Sequence, residues 1–197
     1  MTGQTENGGG RRVSRLRIAA WGLAACLLLT PAVAMRFTDE VVWGPVDFAT
    51  FAAMLLVAGG TFELAARISG NRMFRAGVGV AIAAAFLLVW VNLAVGYLGD
   101  EGNPANLMFL GVLAVAIFGS GIGRFQAAAM SRAMLATAAA QVLAGVIGLA
   151  AGWASPGTEG LYEATLGTGL FTPLWLASAW LLRQSGRGEA KGQHAAA

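Results

Sequence analysis

The sequence predicts an all-α integral membrane bundle of six transmembrane helices joined by short loops. Three observations carry this prediction: 57% of the 197 residues are hydrophobic, only 12% are charged, and apolar stretches of transmembrane length recur along the chain. Soluble domains carry about 25% charged residues, and a soluble chain of this size could not cover so much apolar surface with polar groups. A chain immersed in lipid has no such requirement, so the lipid bilayer is its expected partner.

The apolar stretches lie at residues 18–35, 46–66, 76–98, 106–123, 134–153 and 165–182. Each approaches the roughly 20 residues that cross about 30 Å of hydrocarbon as an α-helix. Strands of an outer-membrane barrel are about ten residues long and alternate apolar with polar residues. Residues 78–91 form one unbroken apolar run instead, so helices are favoured over a barrel.

Basic residues mark alternate connections between these stretches, and this pattern predicts how the chain is threaded. Of the 13 lysines and arginines, 12 lie before the first stretch, after the sixth, or in the second and fourth connections; Arg36 is the exception. Seven of the ten acids lie in or beside the other connections. Because loops rich in lysine and arginine stay cytoplasmic, both termini are predicted to be cytoplasmic (N-in/C-in). Anionic headgroups then account for the net charge of +3, and no nucleic-acid partner is expected.

The predicted organisation is one transmembrane domain between two tails. Residues 1–17 are expected to form a disordered, basic cytoplasmic N-terminus, residues 18–183 the six helices, and residues 184–197 a disordered cytoplasmic tail. The N-terminus has a second interpretation, because its arginines, apolar run and Ala-Val-Ala string also fit a cleavable signal peptide over residues 1–34. The uncleaved span is favoured because small-residue strings are frequent in membrane helices.

Three strings carry a resemblance to a known family, and the resemblance covers the second to fifth spans. They are Thr38-Asp39-Glu40-Val41 continuing to Asp47-Phe48, the run from Phe86 to Gly96, and Asn103-Pro104-Ala105-Asn106-Leu107-Met108. These strings resemble a family of small, uncharacterised, polytopic bacterial inner-membrane proteins. The resemblance implies a multi-pass protein of the bacterial inner (plasma) membrane and implies no activity or site.

Polar residues inside the predicted spans form the first candidate site: Glu63, Arg67, Asn92 and Gln141. Glu63 is an acid well inside a span, and such residues usually face the bundle interior or a watery cavity and serve a function. Arg67 follows four residues later, in the order that makes the best helix ion pair, so a structural pair is the competing interpretation. Asn92 and Gln141, with Thr168, either bond helices together or trace a polar path if their helices are neighbours.

The connection between the first two spans forms the second candidate site: Arg36, Asp39, Glu40 and Asp47. Asp47 and Glu40 complement the positive N-terminus of the second helix, and Asp39 and Glu40 are the candidate partners of Arg36. We expect at least one acid of this connection to pair with Arg36 or to cap the second helix. A weak divalent-cation site is the functional alternative, because carboxylate oxygens are present although calcium-loop spacing is not.

The sequence predicts neither an enzyme nor a bound cofactor or metal. It has one histidine and one cysteine, and it lacks a Ser-His-acid set, a metal-ligand cluster and a phosphate-binding glycine loop. Two functions remain open. The first is a non-catalytic membrane subunit or organiser that binds a second copy of itself or another membrane protein. The second is a small transporter or channel-like component that uses Glu63.

Overall fold

The computed structural model describes residues 7–100 and 102–195, with side chains described over residues 17–100 and 102–188. Throughout this part of the chain the regular structure is helical, without strands. The helices are α1 (Asn7–Ala34), α2 (Pro45–Ile68), α3 (Arg72–Ala94), α4 (Met108–Ile122), α5 (Ala127–Ala150) and α6 (Thr158–Ala195), with a 3₁₀ turn over Pro104–Leu107 directly before α4. Six segments, with the 3₁₀ turn and α4 counted together, are long and apolar enough to cross a membrane. The all-α class and the helix count are therefore confirmed.

Several helix boundaries differ from the hydropathy pattern. α5 begins at Ala127 rather than near residue 134, because its first turns are rich in the strong helix formers alanine and methionine although Arg132 lowers their hydropathy. α3 ends at Ala94 rather than near residue 98, and Gly96 follows with a positive φ of 76°. Hydropathy therefore indicated which residues are apolar, not where each helix ends.

The outermost helices also extend into the segments that were expected to be disordered. α1 begins at Asn7 and α6 continues to Ala195, so residues 7–17 and 184–195 are helical. Arginine and leucine favour helix in residues 11–17, and glutamine, arginine, glutamate, alanine and lysine do so in residues 184–195, whereas the glycines at 8–10 oppose it. The remaining residues of the two predicted tails lie outside the described part of the chain.

The chain divides into two compact units, residues 1–60 and 61–197. In the first unit, the Trp43 ring contacts Phe48 and Phe51 edge-on, with centroid separations of 5.2 and 5.5 Å. The Trp21 indole lies against Gly59, where a Cβ would come within 2.9 Å of the ring. Glycine thus allows an aromatic side chain of α1 to reach the backbone of α2.

In the second unit, α6 packs along both α5 and α3, and α4 packs on α5. Its core includes Leu88, Phe109, Phe171, Trp175 and Leu182, each at most 1% exposed. Small residues bring these helices close. A Cβ on Gly119 of α4 would lie 2.8 Å from the Cβ of Ala133 on α5, and one on Gly77 of α3 would lie 2.8 Å from Leu182. Such contacts are typical of helices that pack through their backbones.

The second unit has two ends, which we name by one residue each. The Asn106 end contains the α3–α4 connection (residues 95–107) and the α5–α6 connection (residues 151–157). The Arg124 end contains the α2–α3 connection (residues 69–71) and the α4–α5 connection (residues 123–126).

At the Arg124 end, side chains cap two helices in succession. The Asn71 side chain accepts hydrogen bonds from the backbone N–H groups of Met73 and Phe74, at 2.9 and 3.4 Å, and so caps α3. The Arg75 guanidinium donates to the carbonyl oxygens of Ser69 and Ala66, at 2.8 and 2.7 Å. These are carbonyls at the end of α2, which helices leave without intrahelical partners.

Candidate functional site

Buried and partly buried polar side chains gather at the Asn106 end of the second unit. We call this group the Tyr97 cluster and define it as Tyr97, Asn103, Asn106, Gln141, Glu163 and Thr168. Its members come from the α3–α4 connection and from the helices α5 and α6. It is therefore the place where distant parts of the sequence meet through polar contacts.

The Tyr97 side chain connects three parts of the second unit. Gln141 Nε2 donates to the Tyr97 hydroxyl at 3.1 Å, and that hydroxyl shares a hydrogen bond of 3.3 Å with Thr168 Oγ1. The ring packs on Phe109 and Phe171, with centroids 3.9 and 5.9 Å away. Burial raises the pKa of Tyr97 above its ordinary value of 10.0, and the hydrogen bonds to Thr168 and Gln141 oppose that rise. Tyr97 therefore acts as a neutral hydrogen-bonding group.

Asn106 holds the backbone of the α3–α4 connection in place. Its Oδ1 accepts from the backbone N–H groups of Tyr97 and Leu98, at 3.0 and 2.8 Å. Its Nδ2 donates to the carbonyl oxygens of Asp100 and Leu98, at 2.8 and 3.4 Å. Asn106 is 7% exposed, so one buried amide satisfies four backbone groups that no helix satisfies.

Asn103 and Glu163 tie the two connections at this end to each other. Asn103 Nδ2 donates to the Trp153 carbonyl at 2.7 Å. The Glu163 carboxylate accepts from the backbone N–H of Gly99 at 3.2 Å and from the Ser155 hydroxyl at 2.9 Å. Both side chains thus form hydrogen bonds to backbone groups or to a neighbouring loop. Such bonds are typical of a polar network that stabilises a structure.

A surface groove of about 430 Å³ adjoins the cluster and is lined by Thr158, Glu159, Tyr162 and Glu163. All four residues belong to the first two turns of α6. The groove is open to its surroundings, unlike the concave, enclosing sites that bind small molecules. Among the described residues, no group of three or more His, Cys, Asp and Glu is placed to hold a metal ion.

The residues of the first candidate site have separate surroundings. Arg67 Nη2 lies 3.8 Å from Glu63 Oε2, with the Arg67 side chain 73% and the Glu63 side chain 23% exposed. Asn92 Nδ2 donates to the Leu88 carbonyl of its own helix at 2.7 Å. Gln141 belongs to the Tyr97 cluster, where Tyr97 links it to Thr168. The structure therefore places Glu63 beside Arg67 and Gln141 near Thr168, and it bonds Asn92 within α3. A functional role for these residues stays a prediction.

The second candidate site lies in the first unit. Asp47 Oδ2 accepts from the backbone N–H of Gly44 at 2.7 Å, directly before the first residue of α2. This is one half of a capping box, in which an acid at the third helical position reaches back to the N-cap. Arg36, Asp39 and Glu40 are exposed on the same connection. The expected capping contact of Asp47 is present, and a binding role for this connection stays a prediction.

Tyr97 carries no sequence signal of a site, because it falls at the end of an apolar stretch, where tyrosine is a common interface anchor. The signal that could have found the cluster is the string Asn103-Pro104-Ala105-Asn106. Asn103 caps the 3₁₀ turn by accepting from the backbone N–H of Ala105 at 3.0 Å. Asn106, three residues later, is then available to form hydrogen bonds to the backbone of the preceding residues 97–100.

Comparisons with known proteins found no matching family model, no matching curated protein and no matching solved structure.

Proposed function

We propose that this chain is a polytopic protein of the bacterial inner (plasma) membrane, with six transmembrane helices and both termini in the cytoplasm. We further propose that it acts there as a non-catalytic membrane subunit or organiser. Its partner would be a second copy of the chain or another membrane protein.

Charge separation between the two ends of the second unit is the observation that carries the membrane proposal. The Arg124 end holds Arg67, Arg72, Arg75, Arg124, Arg132, Arg183 and Arg187. The Asn106 end holds Asp100, Glu159 and Glu163, whereas Glu63, the other acid of this unit whose side chain is described, pairs with Arg67. The 23 residues of α3 between the two ends span about 35 Å, which matches a bilayer core. The positive-inside rule then assigns the Arg124 end to the cytoplasm.

The Tyr97 cluster supports a non-catalytic role. The side chains of Asn103, Asn106 and Glu163 form hydrogen bonds to backbone groups and to Ser155. Catalytic sites instead direct titratable groups at a position where a reacting atom can sit. The hydrogen bonds of the cluster hold the α3–α4 and α5–α6 connections in place.

The proposed threading has a direct test, because Cys26 is the only cysteine in the chain. In a Cys26→Ser background, single cysteines are introduced by Gly102→Cys and Gly188→Cys, both at exposed positions. We expect a membrane-impermeant thiol reagent to label the cysteine at 102 in intact cells and the cysteine at 188 only after lysis. Labelling at 188 from outside, or at 102 only after lysis, would reject this orientation.

The subunit role is tested by the mass of the native particle. We expect the protein, extracted with its surrounding lipid, to run as a complex larger than its own 20.2 kDa plus lipid. A particle with one copy of the chain and no other protein at every concentration would count against the proposal.

The transport alternative rests on Glu63, whose side chain is only 23% exposed within an apolar helix. It is tested by comparing proton and cation flux in liposomes containing wild type, Glu63→Gln or Arg67→Gln. Flux in the wild type that Glu63→Gln abolishes and Arg67→Gln retains would establish the alternative. Equal flux in all three proteins, or none, removes Glu63 as a transport residue.

A further inference from the structure

Arginines of α5 and α6 lie close together at the Arg124 end of the second unit. Gly186 of α6 lies against the first turn of α5, where a Cβ would come within 3.5 Å of the Ala128 backbone nitrogen. Arg132 follows Ala128 by one turn, and its Nε donates to the Ala128 carbonyl at 3.4 Å. Arg187 is the residue after Gly186, and Arg183 lies one turn before Arg187. We call Arg132, Arg183 and Arg187 the Arg183 patch.

The Arg183 patch lies on the side of α5 and α6 that is turned away from the core. α6 directs the buried Leu182 towards Gly77 of α3. α5 directs the buried Ala133 towards Gly119 of α4. The three arginines of the patch are exposed instead. The patch is therefore a surface feature of the α5–α6 pair.

The positive charge of the patch is not neutralised by any acid whose side chain is described. Glu63 is the acid described at this end, and it pairs with Arg67. Arg75 also has partners, because its guanidinium donates to two carbonyl oxygens at the end of α2. The Arg183 and Arg187 side chains make no hydrogen bond or ion pair with a described residue. The patch thus presents its charge to a group outside the described chain.

Exposed apolar side chains continue from the patch along both helices. On α6, Trp180 and Leu176 precede Arg183 at successive intervals of three and four residues, and they are 59% and 45% exposed. On α5, Leu135 follows Arg132 by three residues and is 46% exposed. Such spacings place side chains on one face of a helix. The surface therefore joins three cations at the Arg124 end to apolar side chains directed along the membrane-spanning part.

Positive charge beside an exposed apolar surface is complementary to an anionic amphiphile. An acidic soluble protein would match the arginines and leave the apolar side chains without a partner, whereas a phospholipid matches both. Guanidinium groups also suit phosphate oxygens, because their N–H groups form a planar fork.

We propose that the Arg183 patch binds the phosphate of an anionic phospholipid of the cytoplasmic leaflet. The acyl chains of this lipid lie along Leu135, Leu176 and Trp180. The inference rests on the proposed membrane location and threading, and it adds a specific lipid partner to them.

Fluorescence quenching by brominated lipids tests this site in the full chain. The protein is reconstituted into phosphatidylcholine vesicles that contain a fixed fraction of brominated phosphatidylglycerol or of brominated phosphatidylcholine with the same acyl chains. The difference between wild type and Trp180→Phe isolates the signal of Trp180. We expect the anionic lipid to bind beside Trp180 at least about fivefold more strongly, which is the effect of one arginine close to an anionic headgroup.

The two lipids separate the failure of the site from the failure of the membrane proposal. Equal quenching of Trp180 by both brominated lipids would overturn the lipid site and leave the membrane location intact. No quenching by either lipid would overturn both proposals.

Two double variants remove the same charge from the same end. Arg183→Gln with Arg187→Gln removes two arginines of the patch, whereas Arg72→Gln with Arg124→Gln removes two exposed arginines outside it. We expect the preference for brominated phosphatidylglycerol to fall several-fold in the first variant and to stay at the wild-type value in the second. Equal losses would assign the preference to overall charge and overturn the site. If the first variant failed to insert, Arg132→Gln would provide the same comparison.

Inorganic phosphate distinguishes a lipid from a soluble anion. It shares the chemistry of the headgroup and lacks acyl chains, so we expect phosphate to reduce the preference no more than chloride at the same ionic strength. Displacement of the brominated phosphatidylglycerol by phosphate, but not by chloride, would assign the patch to a soluble anion and overturn the lipid site.

Discussion

The α3–α4 and α4–α5 connections of the second unit are built in different ways. The first is held by the buried side chain of Asn106, which bonds four backbone groups. The second turns within four residues, with backbone hydrogen bonds from Arg124 to Gly121 and from Phe125 to Ser120 at 2.9 and 3.1 Å. Arg124 and Phe125 are both exposed there, with positive φ values of 51° and 57°.

This contrast determines where the identity of a residue matters for stability. A connection held by a buried side chain depends on that side chain, because removing it leaves buried backbone groups without partners. A connection held by its own backbone depends on the conformation that each residue tolerates, and its exposed side chains can change freely. The two connections should therefore respond oppositely to substitution.

The largest effect is expected from Asn106→Ala. It removes the acceptor for two backbone N–H groups and the donor to two carbonyls, so we expect a loss of about 3 kcal/mol or more in the free energy of unfolding. The matched control is Gln126→Ala in the other connection, where the amide is exposed and makes no cap hydrogen bond. That control should change stability by about 0.5 kcal/mol or less. Equal losses in denaturant unfolding would contradict the comparison.

A smaller loss is expected from Tyr97→Phe. The variant keeps the ring packing on Phe109 but removes the hydroxyl that bonds Gln141 and Thr168. Because hydrogen bonds between membrane helices average about 0.6 kcal/mol, we expect a loss of about 1 kcal/mol. Tyr162→Phe, at a residue that is 66% exposed, is the control and should be silent. A silent Tyr97→Phe would show that packing alone holds the cluster.

Alkaline pH should weaken the same contact. Burial raises the pKa of folded Tyr97 above 10.0, so the unfolded chain releases the tyrosine proton first as pH rises. The stability contributed by neutral Tyr97 is therefore fully present below pH 10 and is lost as pH rises through the pKa of the folded state. The measurement is the difference in unfolding free energy between wild type and Tyr97→Phe across this range. A difference that stays constant above pH 10 would contradict the cause.

Sequence patterns anticipated the helices and not the contacts between them. Runs of apolar residues predict six helices because lipid-exposed helices need apolar side chains along their whole length. The same uniformity hides which face meets a neighbour, so the bonds from Gln141 through Tyr97 to Thr168 could not be assigned. The Glu63–Arg67 pair was one of the two interpretations of these residues, and it follows from a local rule, because residues four apart lie on the same face of a helix.

The α3–α4 connection shows the same limit at the level of one residue type. Asn103 stands directly before Pro104 and caps the 3₁₀ turn, as an asparagine at that position can. Asn106 bonds residues 97–100 instead, because the connection folds back over it. The path of this connection depends on tertiary structure, which the spacing of residues in the sequence does not predict.

In the backbone-held connection, a substitution should stabilise. Arg124 has a φ of 51°, a conformation that costs a residue with a Cβ about 1–2 kcal/mol and glycine almost nothing. After the greater entropy of glycine in the unfolded chain is subtracted, we expect Arg124→Gly to gain about 0.5 kcal/mol. Gln126→Gly is the control, since Gln126 has a φ of −72° and should lose stability. Losses of the same size in both variants would reject the strain at Arg124.

The smallest effect is expected from Glu63→Gln, which applies the comparison to a helix surface. The Glu63–Arg67 contact is long at 3.8 Å, and the Arg67 side chain is 73% exposed, so solvent and salt screen the pair. Exposed pairs at this spacing contribute about 0.3–0.5 kcal/mol, and we expect a loss of that size at low salt that shrinks as salt is added. Arg67→Gln and the double variant complete the thermodynamic cycle, in which the second substitution should add little once the first is made. A salt-independent loss of about 2 kcal/mol or more would contradict this expectation. It would show that Glu63, like Asn106, supplies hydrogen bonds to buried groups that have no other partner.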